Sequence, residues 1–192
     1  MSREHGDVVT TNDLKNGMCL DLPEGLMQVV EFQHVKPGKG GAFVRTTLKN
    51  VRTGQTLDRT FRAGEKVEQV KIDRREWQYL YRDGGDYVFM DQESYEQMHV
   101  APAVLGDATK YLVEQSTPTL MMWGDEIVGV EMPPSVELTV SETEPGLQGD
   151  RSTGGTKPAT LETGHVVQVP LFIDKGERVK VDTRTGEYMS RA

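Results

Sequence analysis

Apolar and polar residues alternate in short runs along most of the chain, and Gly, Pro, Asn and Asp separate the runs. A period of two predicts strands that are half-buried in small sandwiches or barrels, and stretches suited to long helices are scarce. In the first third, residues 27–32 and 43–48 read as strands flanking Pro37-Gly38-Lys39-Gly40-Gly41, a hairpin with a glycine-rich tip. Further strands are expected at 55–61 and 67–72. The middle third opens with a hairpin, 77–81 and 87–90, turning at Asp83-Gly84-Gly85-Asp86. Asp91 or Ser94 then suits the cap of a short helical turn, and Val104, Ala108, Tyr111 and Leu112 carry helical spacing. A second hairpin, 119–123 and 126–130, turns at Gly124-Asp125.

Pro133-Pro134 marks a linker, because proline fixes φ and restricts the residue before it. The last third returns to strands at 136–141, 166–169, 178–181 and 187–190, with a tight turn at Thr185-Gly186 and a Gly-, Ser- and Thr-rich loop over 146–158. Gly64-Glu65-Lys66-Val67 and Gly176-Glu177-Arg178-Val179 resemble each other but are too short to establish a repeat. The pattern predicts an all-β chain of three small barrels: an SH3-like (KOW-like) domain over 1–67, a central OB-fold domain over 68–131 and a C-terminal OB-fold domain over 132–192. Domains of this size bury only about 60% of their unfolded surface, so packing between neighbours is expected to help.

Composition agrees with a folded chain: 36% of residues are hydrophobic and 27% charged, which excludes general disorder. No stretch approaches the roughly 20 apolar residues of a membrane span, and the first residues lack a signal peptide's apolar core, so a cytoplasmic monomer with no membrane contact is expected. Cys19, between Met18 and Leu20, reads as a small buried hydrophobe. The net charge of −8 is unevenly spread: ten basic residues face eight acidic ones over 1–67, five face thirteen over 68–131, and seven face nine over 132–192. Within the first third, eight basic residues from Lys36 to Lys66 face only Asp58 and Glu65, a local excess suited to phosphate because screening makes nearby charge dominate. A solvated hairpin face explains the same composition.

Catalytic signatures are missing. Gly38-Lys39 is not followed by Ser or Thr, so no P-loop is present, and Phe43 breaks any dinucleotide fingerprint. His5, His34, His99 and His165 are isolated from one another and from Cys19, and no metal or other cofactor is implied. The adjacent pair Asp125-Glu126 would face opposite sides of a strand, poor geometry for joint acid–base work. Lys39 stands apart: a lysine among glycines at a projecting tip, where the backbone can approach another polymer closely and the flexible stem carries an ammonium with three donors. The alternative is an ordinary glycine-rich turn with a solubilising lysine.

Two motifs make the chain resemble the elongation factor P family over residues 11–191. One is Pro37-Gly38-Lys39-Gly40-Gly41-Ala42-Phe43, similar to the family's functional loop. The other is Lys157-Pro158-Ala159 followed by Gly164, Val167, Val169-Pro170, Ile173 and Gly176, similar to the family signature of the third domain. The ending 181–188 is also typical. The resemblance implies an L-shaped, tRNA-like, non-enzymatic protein that binds the 70S ribosome beside peptidyl-tRNA and stimulates peptide-bond formation at consecutive prolines. It implies that Lys39 contacts the tRNA acceptor end, supported by Pro37, Gly38, Gly40 and Gly41, with Arg45, Lys49 and Arg52 as candidate phosphate contacts. Gly149 and Asp150 resemble the start of a loop that approaches mRNA, while Arg151 stands where the family usually has threonine.

Family members differ in whether a lysine-modifying enzyme extends this lysine. Gly40-Gly41 departs from variants that are β-lysylated, which points to a Lys39 that is unmodified or differently modified. Two rival readings stand: an elongation-factor-P-like paralogue with other stall preferences, and a general single-stranded RNA binder. The second would use aromatic stacking platforms, yet Trp77, Tyr79, Tyr81, Tyr87 and Phe89 read as hairpin core. Residues 2–10 have no assigned family counterpart and are expected to be mobile.

Overall fold

A computed structural model describes residues 6–146 and 154–192. It is an all-β protein that divides into two compact units, residues 1–75 with 120–129, and residues 76–119 with 130–192. The first unit contains a six-stranded sheet in the order β1–β6–β2–β3–β4–β5, built from β1 (Asp7–Thr10), β2 (Cys19–Leu22), β3 (Gly25–Val35), β4 (Phe43–Asn50), β5 (Thr56–Arg62) and β6 (Lys66–Val70). Along β4, Val44, Thr46 and Leu48 are buried while Arg45 and Lys49 face water, the alternation that the pleat imposes. Leu20, Met27, Val29, Val44, Leu48 and Phe61 form the centre of this barrel's core. A bulge between Val29 and Glu31 of β3 leaves Val30 half-exposed against the pattern.

The N-terminal segment differs from expectation. Asp7 to Thr10 is not loose but pairs with β6 from Gln69 to Lys66. Gly6 leads into it, donating its N–H to Glu68 Oε1 at 2.9 Å, and a Cβ there would lie 2.1 Å from Gln69 O. Buried Thr11 then ties the chain down, donating its hydroxyl to Arg62 O at 2.8 Å. The β-branched run Val8-Val9-Thr10-Thr11 carries the strand propensity that accounts for this.

The hairpin β10 (Thr119–Trp123) and β11 (Glu126–Glu131) supplies residues 120–129 of the first unit, where Met121 and Val128 share a core with Cys19, Leu26 and Val70. Cys19 is buried, as its neighbours predict.

β7 (Asp73–Asp83), which belongs to the second unit from Glu76 on, forms an antiparallel meander with β8 (Asp86–Asp91) and β9 (Gln97–Val100). Trp77, Tyr79, Tyr87 and Phe89 are core residues, but Tyr81 is 45% exposed because a bulge between Tyr79 and Tyr81 shifts the register. The helical turn expected after Asp91 is instead a closed turn. Asp91 O accepts the N–H of Tyr95, Asp91 N–H donates to Glu96 O, and β9 follows directly. The predicted second helix is broken: α1 (Pro102–Leu105) stops at Gly106, whose φ is +56°, and a 3-10 turn carries the chain to Lys110. Ala108, Tyr111 and Leu112 are buried nonetheless, as their spacing predicts.

The C-terminal sheet runs β14–β13–β12–β15–β16, from β12 (Ser135–Thr143), β13 (Thr156–Leu161), β14 (Val166–Pro170), β15 (Arg178–Asp182) and β16 (Tyr188–Arg191). Its core of Leu138, Val140, Leu161, Val169, Ile173, Val179 and Val181 also takes in Tyr111. β13 takes its first three residues, 156–158, from the stretch expected to be loop, with Lys157, Ala159 and Leu161 facing inward and exposed Pro158 opposite Gln168 of β14. Inward-facing Lys157 is satisfied by donating its ammonium to Glu144 O. The two similar tetrapeptides make the same turn before β6 and β15. Glu65 accepts from the backbone of Arg62, Glu177 accepts from the backbone of Asp174, and Gly64 and Gly176 both have positive φ.

Candidate functional site

The β3–β4 hairpin is paired from Met27 opposite Asn50 to Val35 opposite Phe43, so residues 36–42 form its tip. Pro37, Gly38, Lys39, Gly40 and Gly41 are all exposed. Among the described residues nothing hydrogen-bonds or ion-pairs with Lys39. Gly40 has φ +105°, a conformation that favours glycine. Gly38 and Gly41 have no positive φ, and a Cβ on either would meet nothing within 4 Å. Among the described residues, no contact therefore requires glycine at 38 or 41.

Two strand residues behind the tip face water. Arg45 sits on β4 opposite Gln33 of β3 and Thr60 of β5, with its guanidinium 5.7 Å from the Phe43 ring. Lys49 lies four residues further along the same strand and the same face, about 13 Å away. Arg45 borders a polar groove of about 430 Å³ that is also lined by Glu31, Gln33, Thr47, Asp58 and Arg59. The groove is thus mixed in charge, and Arg59 is already paired with Glu24. Arg52 is set apart from Arg45 and Lys49: it lies in the turn after β4 and pairs with Glu126 at 3.4 Å, both side chains about half-exposed. Such a pair contributes only about 0–1 kcal/mol, so Arg52 remains available at little cost. Gly149, Asp150 and Arg151 lie outside the described residues.

One further residue of consequence lies away from the tip. Gly129 is buried in β11, and a Cβ there would lie 2.7 Å from Met121 Cε and 3.1 Å from Val51 O. A lone glycine inside an apolar strand, Ile127-Val128-Gly129-Val130, is the sequence signal for such a close backbone approach.

Comparison with known proteins finds family matches along most of the chain. Residues 10–67 match the elongation factor P KOW-like domain, residues 72–130 the elongation factor P OB domain and residues 136–191 the elongation factor P C-terminal domain. The chain belongs to the elongation factor P family. Relatives named elongation factor P include one from Parafrankia sp., 64% identical over 184 residues that cover 96% of this chain and 98% of the relative. Another, from Acidothermus cellulolyticus, is 60% identical over 185 residues, covering 96% and 99%. Among solved structures, a translation initiation factor eif-5a family protein from Naegleria fowleri aligns with TM-score 0.51 at 15% identity, covering 67% of this chain and 98% of that one, a likeness of fold alone. Membership in the elongation factor P family makes this chain a translation elongation factor. Among the described residues, no helix is long and apolar enough to cross a membrane.

Proposed function

We propose that this elongation factor binds the 70S ribosome beside peptidyl-tRNA and speeds peptide-bond formation at consecutive prolines by holding the tRNA acceptor end, with Lys39 as the contact. The observation that carries this reading is the tip itself: an exposed lysine with no partner among the described residues, in a run of glycines of which the fold needs only Gly40, for its positive φ, and not Gly38 or Gly41. Bare glycines let a polymer come close to the backbone, and the ammonium donates to phosphate or ribose oxygens. Arg45 and Lys49, on the outward face of the same hairpin, extend the contact along the sugar–phosphate backbone.

Proline's ring fixes φ and displaces the reacting groups, so rate is lost through geometry. A factor that orders the acceptor end in advance restores a near-attack arrangement while the ribosome performs the chemistry, and the factor needs no catalytic group of its own. The burial of Trp77, Tyr79, Tyr87 and Phe89 favours this reading over a general single-strand binder, since none of these rings is available as a stacking platform.

Reconstituted translation of a message encoding three consecutive prolines tests it. The full chain shortens passage through the prolines, and Lys39→Ala loses most of that effect, about tenfold or more in rate. A fully folded, natively modified chain that leaves passage unchanged refutes the proposal.

A further inference from the structure

The β3–β4 hairpin has two ends, and the one remote from Lys39 is fixed by contacts within the same unit. Its base is a closed turn. Asn50 Oδ1 accepts from the backbone N–H groups of Arg52 and Thr53 at 2.9 and 3.0 Å, Gly54 N–H donates to Asn50 O at 2.8 Å, and Val51 N–H donates to Leu26 O at 2.9 Å. Val51 packs against the cluster that joins Leu26 to Met121 and Val128 of the β10–β11 hairpin. Two groups face the bare Cα of Gly129: the flexible end of Met121 and, on the backbone of the turn, Val51 O.

We propose that Gly129 is a positioning residue for the Lys39 loop: it is the seat on which the base of the hairpin rests, and its missing side chain sets where the tip points. This inference builds on the proposed role of that loop. A Cβ at 129 would stand 2.7 Å from Met121 Cε and 3.1 Å from Val51 O. The methionine terminus can swing away, but the Val51 carbonyl belongs to a turn held by three backbone hydrogen bonds, counting Asn50 N–H to Gln55 O, and by two more to the Asn50 side chain, and it moves only with the hairpin. A Cβ to carbonyl oxygen contact of 3.1 Å is tighter than such contacts normally are, so the base is lifted by a few tenths of an ångström. The paired strands extend about 23 Å from Asn50 to Phe43, long enough for a tilt at the base to appear enlarged at the tip. Reacting groups misplaced by about 1 Å cost up to about 100-fold in rate, so a seat of this kind matters to function out of proportion to its energy. The Arg52–Glu126 pair beside the seat is half-exposed and too weak to replace it.

The test reads geometry and activity separately. Nitroxide labels at Gly41→Cys and Asp125→Cys, both exposed positions of the first unit, report the tip-to-hairpin distance by pulsed electron resonance, while buried Cys19 stays unlabelled. Introducing Gly129→Ala is expected to move the distance by about 2 Å, the base shift enlarged along the paired strands, whereas Met121→Leu alone, which touches only the flexible neighbour, leaves the distance unchanged. In the triple-proline assay, unlabelled Gly129→Ala lowers the maximal stimulation about tenfold while its half-saturating concentration stays within about twofold of wild type. An unchanged distance in folded Gly129→Ala overturns the inference whatever the rate does. Loss of rate with an equal weakening of binding overturns it too, because that marks a general defect. Where Gly129→Ala does not fold, Val51→Ala reads the same seat by loosening it: a broadened distance distribution supports the inference and an unchanged one refutes it. Wild-type protein without effect on proline passage refutes the proposed function alone, and the distance measurement still decides the seat.

Discussion

Gly38, Gly40 and Gly41 are neighbours in sequence but differ in what holds them as glycine. Gly40 needs its positive φ, whereas Gly41 has ordinary backbone geometry and open space around its Cα. Gly40→Ala therefore lowers stability by about 1 kcal/mol, while Gly41→Ala is neutral or raises it by about 0.4–1 kcal/mol through the less mobile unfolded chain. If the tip is a docking surface, the order reverses for activity at position 41: the more stable Gly41→Ala protein stimulates proline passage less than wild type. Urea unfolding and the triple-proline assay on the same preparations check both statements. A Gly41→Ala protein with full stimulation would show that nothing presses against that side of the loop.

At the scale of elements, alternation and local turn chemistry reveal most of what forms. Both hairpins around Asp83–Asp86 and Gly124-Asp125 follow from contiguous residues, and so does the Lys39 tip. What escapes is non-local or locally disguised. Cys19-Leu20-Asp21-Leu22 is too short to declare itself and becomes β2 only by pairing with β3 and β6. Pro158 hides β13, because proline normally argues against a strand inside a sheet. The bulge after Tyr79 inverts the side that Tyr81 faces, and the partner of Arg52 is 74 residues away. The tip is legible because its chemistry lies within seven residues; the seat at Gly129 is not, because its meaning depends on Val51.

The same elements set an alkaline limit. Burial raises the phenol of Tyr79 on β7, with the Tyr87 phenol adding to it, and burial likewise raises the phenol of Tyr111. Because the folded state holds these protons more tightly than the unfolded chain, their contribution is complete below the ordinary tyrosine value near pH 10 and is lost as pH rises through the folded values. Urea midpoints of wild type are expected to fall from pH 9 to above pH 10.5, and the Tyr79→Phe/Tyr111→Phe protein to fall less. Parallel declines for both proteins would assign the alkaline sensitivity to other groups.

For the whole molecule, the central family domain and the compact units do not coincide. Residues 72–130 match one OB domain, yet 120–129 belong to the first unit and 76–119 to the second. Met121 and Val128 complete a core with Cys19, Leu26 and Val70, and Tyr111 completes another with Leu138 and Val181. Expressed alone, residues 68–131 would expose both sets of side chains. The isolated segment is expected to lack a cooperative thermal transition, whereas residues 1–131, which keep the first unit whole, retain one. Calorimetry of the two fragments checks this, and a sharp transition in 68–131 would contradict it.

That mismatch bears on how such a chain changes by recombination. A crossover at the edges of the central domain exchanges a tidy stretch of gene, yet it separates Met121 from Leu26 on one side and Tyr111 from Leu138 on the other. Chimaeras joined there inherit two mismatched cores at once, so the heritable module and the mechanical one have different borders.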